Sequence, residues 1–343
     1  MRRSPVGLRE IADPHNLAAA FHAAAAGKRG RADVEAFRGR LERELERLRA
    51  ELTDETYCPG PMRCFRIHDP KPRLIHAPCF RDRVAHHAIM AHAGPVLDRA
   101  LIFDTYACRV GKGTLAAVQR ASEHAARHAW YGQTDIRAYF ASIRHDVLLA
   151  LLARRFKSKA LLRLFERIVR SHAHSPGRGP GRGLPIGALT SQYFANFYLS
   201  GADRLVLERP DVGGYVRYMD DLVWWADDRA AVRRVAEVLR GYLCEELGLK
   251  MKPPLHVGQS VHGLTFCGFR ILPRRLLLSR RRRIRYGRLR RRAESDWLRG
   301  MSGAAGLQSA YSGALALTLH ADAKAWRRLQ LRRHPVAPAL DAL

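Results

Sequence analysis

Acidic residues are scarce in this chain. Asp and Glu number 32 against 60 Lys and Arg in 343 residues, a formal net charge of +28. An imbalance of that size pushes a compact state apart by self-repulsion, so its use lies in binding a polyanion. Lysine is scarce as well, eight residues against 52 arginines. Arginine suits bidentate phosphate contacts and base stacking, although a GC-rich genome gives the same bias. The six cysteines (58, 64, 79, 108, 244, 267) form no CxxC pair and no metal-ligand spacing, and read as reduced, mostly buried thiols of a cytosolic protein. Long apolar runs are missing too. The N-terminal MRRSPVGLREIADP has no apolar signal core, and the run at 148–153 is far too short to span a bilayer, which weighs against secretion and membrane insertion. What remains, 47% apolar and 27% charged, is the composition of a folded protein long enough for two or three lobes.

The most informative stretch is GGYVRYMDDLVWWADD at 213–228. Tyr215, Val216 and Tyr218 on one side and Leu222, Val223, Trp224 and Trp225 on the other favour strands, and the adjacent Asp220 and Asp221 favour a tight turn between them. The stretch therefore predicts a β-hairpin with carboxylates at its tip. Two like charges this close repel unless water or a cation lies over them. Read alone, the stretch favours a solvated turn over a site, since Asp is common in turns.

Elsewhere the pattern is mixed. Phe37, Leu41, Leu45, Leu48 and Leu52 predict one packing helix starting near Asp33. Lys71 and Arg73 flank a proline before Leu74 and Ile75, and read either as a solvated loop or as a basic hairpin reaching toward phosphates. The pairs His86/His87, His124/His128 and His172/His174 lack a carboxylate or thiol to complete a metal set and read as core or surface residues. Gly-Lys-Gly-Thr at 111–114 fails the spacing of an ATPase loop. Residues 130–136 predict a strand with Asp135 near its C-terminal end, where an acid is costly to bury without a counter-ion. A Gly/Pro/Arg loop at 171–187 leads into a helix carrying Phe194, Phe197, Tyr198 and Leu205. A further helix carries Val232, Val235, Leu239, Tyr242 and Leu243 and stops at Gly248; two lysines and a short strand pair follow. Beyond Pro273 the chain turns strongly basic and helical to Arg333, as a domain gripping nucleic-acid backbone would be.

Seven blocks in order, KPRLIHAP…DRV, YACRVGKGT, TDIRAYFASI, GLPIGALTSQYFANFYL, YVRYMDDLVWWADD, LGLKMKPP and LTFCGFRI, resemble the successive motifs of reverse transcriptases and cover about residues 61–272. The GxxxSQ form at 187–192, preceded by Ile186 where most relatives carry Gln, is similar to the enzymes of diversity-generating retroelements. Ala188 and Cys267 depart from that group's usual Asn and Leu. The resemblance implies an α+β right-hand polymerase: an N-terminal helical extension (1–60), fingers and palm (61–272) and a basic helical thumb (273–343). It implies Asp135, Asp220 and Asp221 as catalytic carboxylates holding two Mg²⁺ ions, or Mn²⁺ in their place, with Ile136 beside them. Lys71 and Arg73 would clamp the deoxynucleoside triphosphate, Tyr139 would be the steric gate backed by Phe140, and Ile186 and Gly187 would line the nucleotide. Lys250 or Lys252 would protonate pyrophosphate. Ser191, Gln192, Phe266, Gly268 and Arg280, Arg281, Arg282 and Arg283 would meet template RNA and primer. A small basic oligomeric accessory protein is the further partner implied, and the cytoplasm the location. Reverse transcriptases of group II introns, retrons or phage-defence systems share the chemistry, although the lack of an endonuclease or maturase-like extension weighs against an autonomous intron. A catalytically idle RNA-binding scaffold is the alternative from another class, and the retained acids weigh against it.

Overall fold

The computed structural model describes residues 3–68, 72–171 and 180–335, so Lys71, His172 and His174 lie outside the described residues. The chain is α+β and divides into two compact units, each drawn from three stretches. Met1–Val110, Asp135–Glu208 and Glu237–Pro253 form the first; Gly111–Thr134, Arg209–Ala236 and Pro254–Leu343 form the second.

The first unit is built on the helix Phe80–Asp98, whose Val84, Ala85, Ala88, Ile89 and Ala93 are fully buried. Helix Pro14–Ala25 packs along it. Asp13 starts that helix, its carboxylate accepting from the main-chain N–H of His15 at 2.9 Å and of Asn16 at 3.2 Å, with proline at the first helical position. Phe21, Phe37 and Phe80 meet between the helices with ring centroids 5.2 to 6.0 Å apart. The stripe that predicts one helix from Asp33 is in fact two helices, Ala32–Arg38 and Leu41–Thr53. Arg40, at φ −130°, ψ 31°, breaks the helical backbone between them, and only Phe37, Leu48 and Leu52 of the stripe are buried. Similarly, the helix expected around Phe194 and Leu205 is divided at Leu199 into Leu189–Tyr198 and Ser200–Leu207. Strands β1 (Arg63–His68) and β2 (Pro72–Ala77) form an antiparallel ribbon with β1 exposed along its whole length.

The second unit holds β3 (Trp130–Asp135), β4 (Gly214–Tyr218), β5 (Asp221–Ala226) and β6 (His256–Gln259), in the sheet order β4-β5-β3-β6. Only the last residue of β3, Asp135, is counted with the first unit. Strand β5 is buried on both faces beyond Asp221, which explains its uninterrupted apolar run. Trp224 fills the space over Gly132, where an added Cβ would stand 2.3 Å from its ring, so β3 and β5 depend on a residue with no side chain there. Trp225 stacks on His124 of the helix Thr114–Arg127, with centroids 5.2 Å apart. A second sheet joins β7 (Leu264–Phe266), β8 (Phe269–Leu272) and β9 (Arg275–Leu278); the expected strand pair is thus a three-stranded ribbon. Three helices follow, Arg280–Leu298, Ala304–Ala316 and Lys324–Arg333. Within them Arg290 and Glu294 form a buried ion pair at 3.0 Å, and the Tyr311 hydroxyl donates to Glu294.

The thiols are less buried than the sequence suggests. All six cysteines are free; Cys58, Cys64, Cys108 and Cys244 are exposed, and Cys79 and Cys267 are partly so. They sit on the exposed ribbon, in loops and on the outer side of a helix, where no core needs a small apolar group. Among the described residues, no helix is long and apolar enough to cross a membrane.

His86 lies inside the first unit's central helix, fully enclosed, with no hydrogen-bond partner for either ring nitrogen among the described residues. Burial pushes its pKa down from 6.5 to about 4. The unfolded chain therefore binds a proton here that the folded chain refuses, and stability present above pH 6.5 is lost as pH falls toward 4. In urea titrations the wild type should lose about 3 kcal/mol relative to His86→Leu over that window. A difference that stays flat with pH contradicts a neutral buried imidazole.

Candidate active site

Strands β4 and β5 pair in register from Gly214↔Trp225 to Tyr218↔Asp221, leaving Met219 and Asp220 as a two-residue turn. The predicted acidic hairpin is therefore present. Met219 has φ 58°, and Asp220 is not among the residues with positive φ, the pattern of a type II′ turn. A non-glycine residue in that position carries strain that its surroundings must hold. The restraint comes from Arg217, a fully buried side chain whose Nη1 donates to the Met219 carbonyl at 2.9 Å. On the other side, Gln133 of β3 donates from Nε2 to Asp221 Oδ1 at 3.0 Å. Sequence reading missed both residues. Their only signals were a charged residue inside the apolar YVRY and a polar one two positions before Asp135 on the same strand.

Asp135 ends β3 as expected. Its carboxylate lies 2.8 Å from Lys252 Nζ. The main chain brings the two together: Ile136 bridges to Met251, flanked by bonds from Arg137 N–H to the Lys250 carbonyl and from Lys252 N–H to the Asp135 carbonyl. Ile136's own carbonyl therefore points away from this segment. Of the two candidate lysines, Lys252 reaches an acid and Lys250 is exposed. Among the described residues, no group of three or more His, Cys, Asp or Glu side chains stands ready to hold a metal ion.

The nucleotide-facing expectations divide. His76 N–H of β2 donates to the Ile186 carbonyl at 2.8 Å, tying the ribbon that carries Arg73 to the loop that carries Ile186 and Gly187. Gly187 has φ 126°, and a Cβ there would lie 2.8 Å from the His76 carbonyl oxygen, so glycine is required twice over. Tyr139 is a correction. Its ring is buried and its hydroxyl donates to the Ala195 carbonyl, so it cannot face a sugar. Ala138, at φ 48°, starts the short helix Tyr139–Ser142, and Phe140, rather than Tyr139, is the ring left half-exposed.

The expected template and primer contacts change as well. Ser191 and Phe266 are buried and cannot touch a nucleic acid through their side chains, whereas Gln192 is half-exposed and accepts from the Cys108 thiol at 3.3 Å. Cys267 and Gly268, both with positive φ, form the turn between β7 and β8. Burial, reinforced by the Asp221 charge, pushes the Cys267 thiol's pKa up, so it stays protonated. Arg282 stacks over Phe269 at 4.0 Å from the ring centroid and packs against Gly268, so it holds the ribbon to the first basic helix. Arg280, Arg281 and Arg283 are exposed.

The structure thus holds two adjacent acids at the tip of one hairpin and a single acid ending another strand, in a strongly basic chain. The family model for reverse transcriptase (RNA-dependent DNA polymerase) matches residues 67–269. The chain belongs to that family, the RNA-directed DNA polymerases. It is 25% identical over 297 residues to Protein YkfC of Escherichia coli (strain K12), covering 73% of this chain and 75% of that protein. It is 22% identical over 175 residues to the group II intron-encoded protein LtrA of Lactococcus lactis subsp. cremoris, covering 50% of this chain and 29% of that one. Among solved structures, the apo telomerase of Candida tropicalis truncated from its C-terminal domain aligns with a TM-score of 0.46 and 11% identity, over 64% of this chain. The chain spans about half, 55%, of that telomerase chain.

Because Arg217 restrains the turn from inside the unit, Arg217→Met should free the Met219 carbonyl while keeping much of the side-chain volume. Amide hydrogen exchange at residues 219–221 should quicken by about ten-fold, the value of one hydrogen bond from a charged donor, about 1.5 kcal/mol. Unchanged exchange in a folded variant contradicts the restraint.

Proposed function

We propose that this chain copies a template-repeat RNA into cDNA as the error-prone, adenine-biased polymerase of a diversity-generating retroelement. The observation that carries the subgroup is Ile186 followed by GALTSQ, within a chain of the reverse transcriptase family. In this reading the ribbon of β1 and β2 belongs to the fingers, the four-stranded sheet to the palm and the three C-terminal helices to the thumb.

Asp135, Asp220 and Asp221, with the Ile136 carbonyl, would hold two divalent cations, Mg²⁺ by preference. The donor chemistry fits, since these are oxygen ligands, and the Lys252 ammonium, 2.8 Å from Asp135, would give way to the cation. Bound there, the ions would lower the pKa of the primer 3′-hydroxyl and neutralise charge on the leaving pyrophosphate. The protein's own part is to orient and bind. Arg73, together with Lys71, would clamp the triphosphate of the incoming deoxynucleotide. Phe140 takes over the role of sugar gate, because Tyr139 is committed to Ala195. Lys252, or Lys250, would donate a proton to pyrophosphate. The turn at Cys267 and Gly268 would meet the primer end, while exposed Arg280, Arg281 and Arg283 would contact template and primer phosphates. Free cysteines suit a reducing cytoplasm, and the basic accessory protein remains part of the proposal.

Asp220→Asn tests the polymerase reading. With an RNA template, a DNA primer, deoxynucleotides and Mg²⁺, the wild type should extend the primer and the variant should lose about a thousand-fold in rate, while RNA binding holds within about two-fold. Near wild-type extension by the variant refutes the assignment.

The subgroup is tested through fidelity. A glutamine amide at position 186 could hydrogen-bond near the nascent pair, whereas isoleucine offers contact area alone. One such bond is worth about 1 kcal/mol, roughly five-fold in selectivity. Sequenced cDNA from a defined template should show errors concentrated opposite adenine, and Ile186→Gln should lower them about five-fold. A low error rate spread evenly over four bases leaves a reverse transcriptase of another subgroup.

A further inference from the structure

We propose that Gln133 is a positioning residue for this reaction: its amide aims the Asp221 carboxylate and fastens it to the ribbon of β7, β8 and β9. The proposal rests on the reading of Asp221 as part of the cation-binding set.

The geometry is that of a planar group held at two points. Gln133 Nε2 lies 3.0 Å from Asp221 Oδ1 and 3.1 Å from the main-chain oxygen of Thr265. A carboxylate and a carbonyl can only accept, so the amide nitrogen must face them, and both of its hydrogens are committed. The acid is thereby referenced to backbone, a more rigid frame than another side chain.

The pleat explains why β3 can do this. Alternate residues of a strand share a face, so Tyr131 and Gln133 project together. Both end on main-chain oxygens of one short segment, Tyr131 through its hydroxyl to Gly263 at 3.3 Å and Gln133 to Thr265. Thr265 lies two residues before Cys267 and pairs across the ribbon with Arg270. A shift of the ribbon therefore reaches Asp221 through this amide, which couples the turn proposed to meet the primer end to the acid proposed to hold metal.

The choice of a neutral donor has a purpose. An amide orients a carboxylate without itself bringing a full positive charge. Asp135 shows the opposite arrangement, with a lysine ammonium against it.

The test uses the full chain bound to an RNA template and DNA primer. Mn²⁺ binding is read by electron paramagnetic resonance without nucleotide, and kcat and KM for deoxynucleotide are measured separately. Gln133→Met keeps length but removes both donors. It should weaken Mn²⁺ binding about ten-fold, as loss of a partner that orients a ligand does, and lower kcat by about as much, with melting temperature and nucleotide KM unchanged. In an Asp221→Asn background it should cause no additional loss, since Gln133 acts through that acid. Gln133→Lys, a second variant that retains a donor, should also weaken Mn²⁺ binding because its ammonium competes. Wild-type Mn²⁺ affinity in either variant, or a full additional loss in the Asp221→Asn background, overturns the proposal while leaving the metal reading of Asp221 intact. Wild-type Mn²⁺ binding and extension by Asp221→Asn alone overturns both.

Discussion

Two adjacent carboxylates, Asp220 in a two-residue turn and Asp221 at the start of the strand after it, repel each other, and the second unit is arranged to hold them despite that. Met219 takes a backbone conformation that few side chains tolerate, and the buried Arg217 fixes its carbonyl from within. Gln133 fixes Asp221 from the next strand in the sheet. Behind the turn, Trp224 pressed on Gly132 and Trp225 stacked on His124 anchor the hairpin in a core it cannot slide through. The adjacent acids thus stand on a hairpin held by a buried guanidinium, a side-chain amide and aromatic bulk.

The charge balance of the whole chain follows a related logic. A net charge of +28 attracts a polyanion over the surface, with the 32 acids spread along the whole chain. Part of the arginine excess is nevertheless internal. Arg217, Arg282 and Arg290 spend their guanidinium groups on a turn carbonyl, an aromatic ring and a buried glutamate. Counting arginines therefore overstates the surface open to phosphate.

Much of this was legible in the sequence, because period and turn chemistry are local. The acidic hairpin, the strand ending in Asp135, the helix Arg229–Glu245 and the basic helical tail follow from alternation, helical spacing and charge. What was illegible depends on which way one residue turns. Tyr139 and Phe140 are neighbouring rings of equal promise, and the left-handed Ala138 that starts their helix sends Tyr139 inward to Ala195. Lys252 could be told from Lys250 only once the bridge from Ile136 to Met251 set the register. Gln133 carries no charge and no motif, so its two bonds emerge only from packing. The break at Arg40 and the strand β9 were hidden for the same reason, since each is decided by partners far along the chain.

The proposed function rests on Asp135, Asp220 and Asp221 acting together on divalent cations at the primer end. Crystals of the full chain with RNA template, DNA primer, a non-hydrolysable deoxynucleotide and Mn²⁺, examined by anomalous scattering, address it most directly. The account predicts two Mn²⁺ peaks, with oxygens of Asp135 and Asp220 at coordination distance from both, roughly 2.0 to 2.3 Å. Mn²⁺ bound elsewhere, with these carboxylates making no contact to it, contradicts the account.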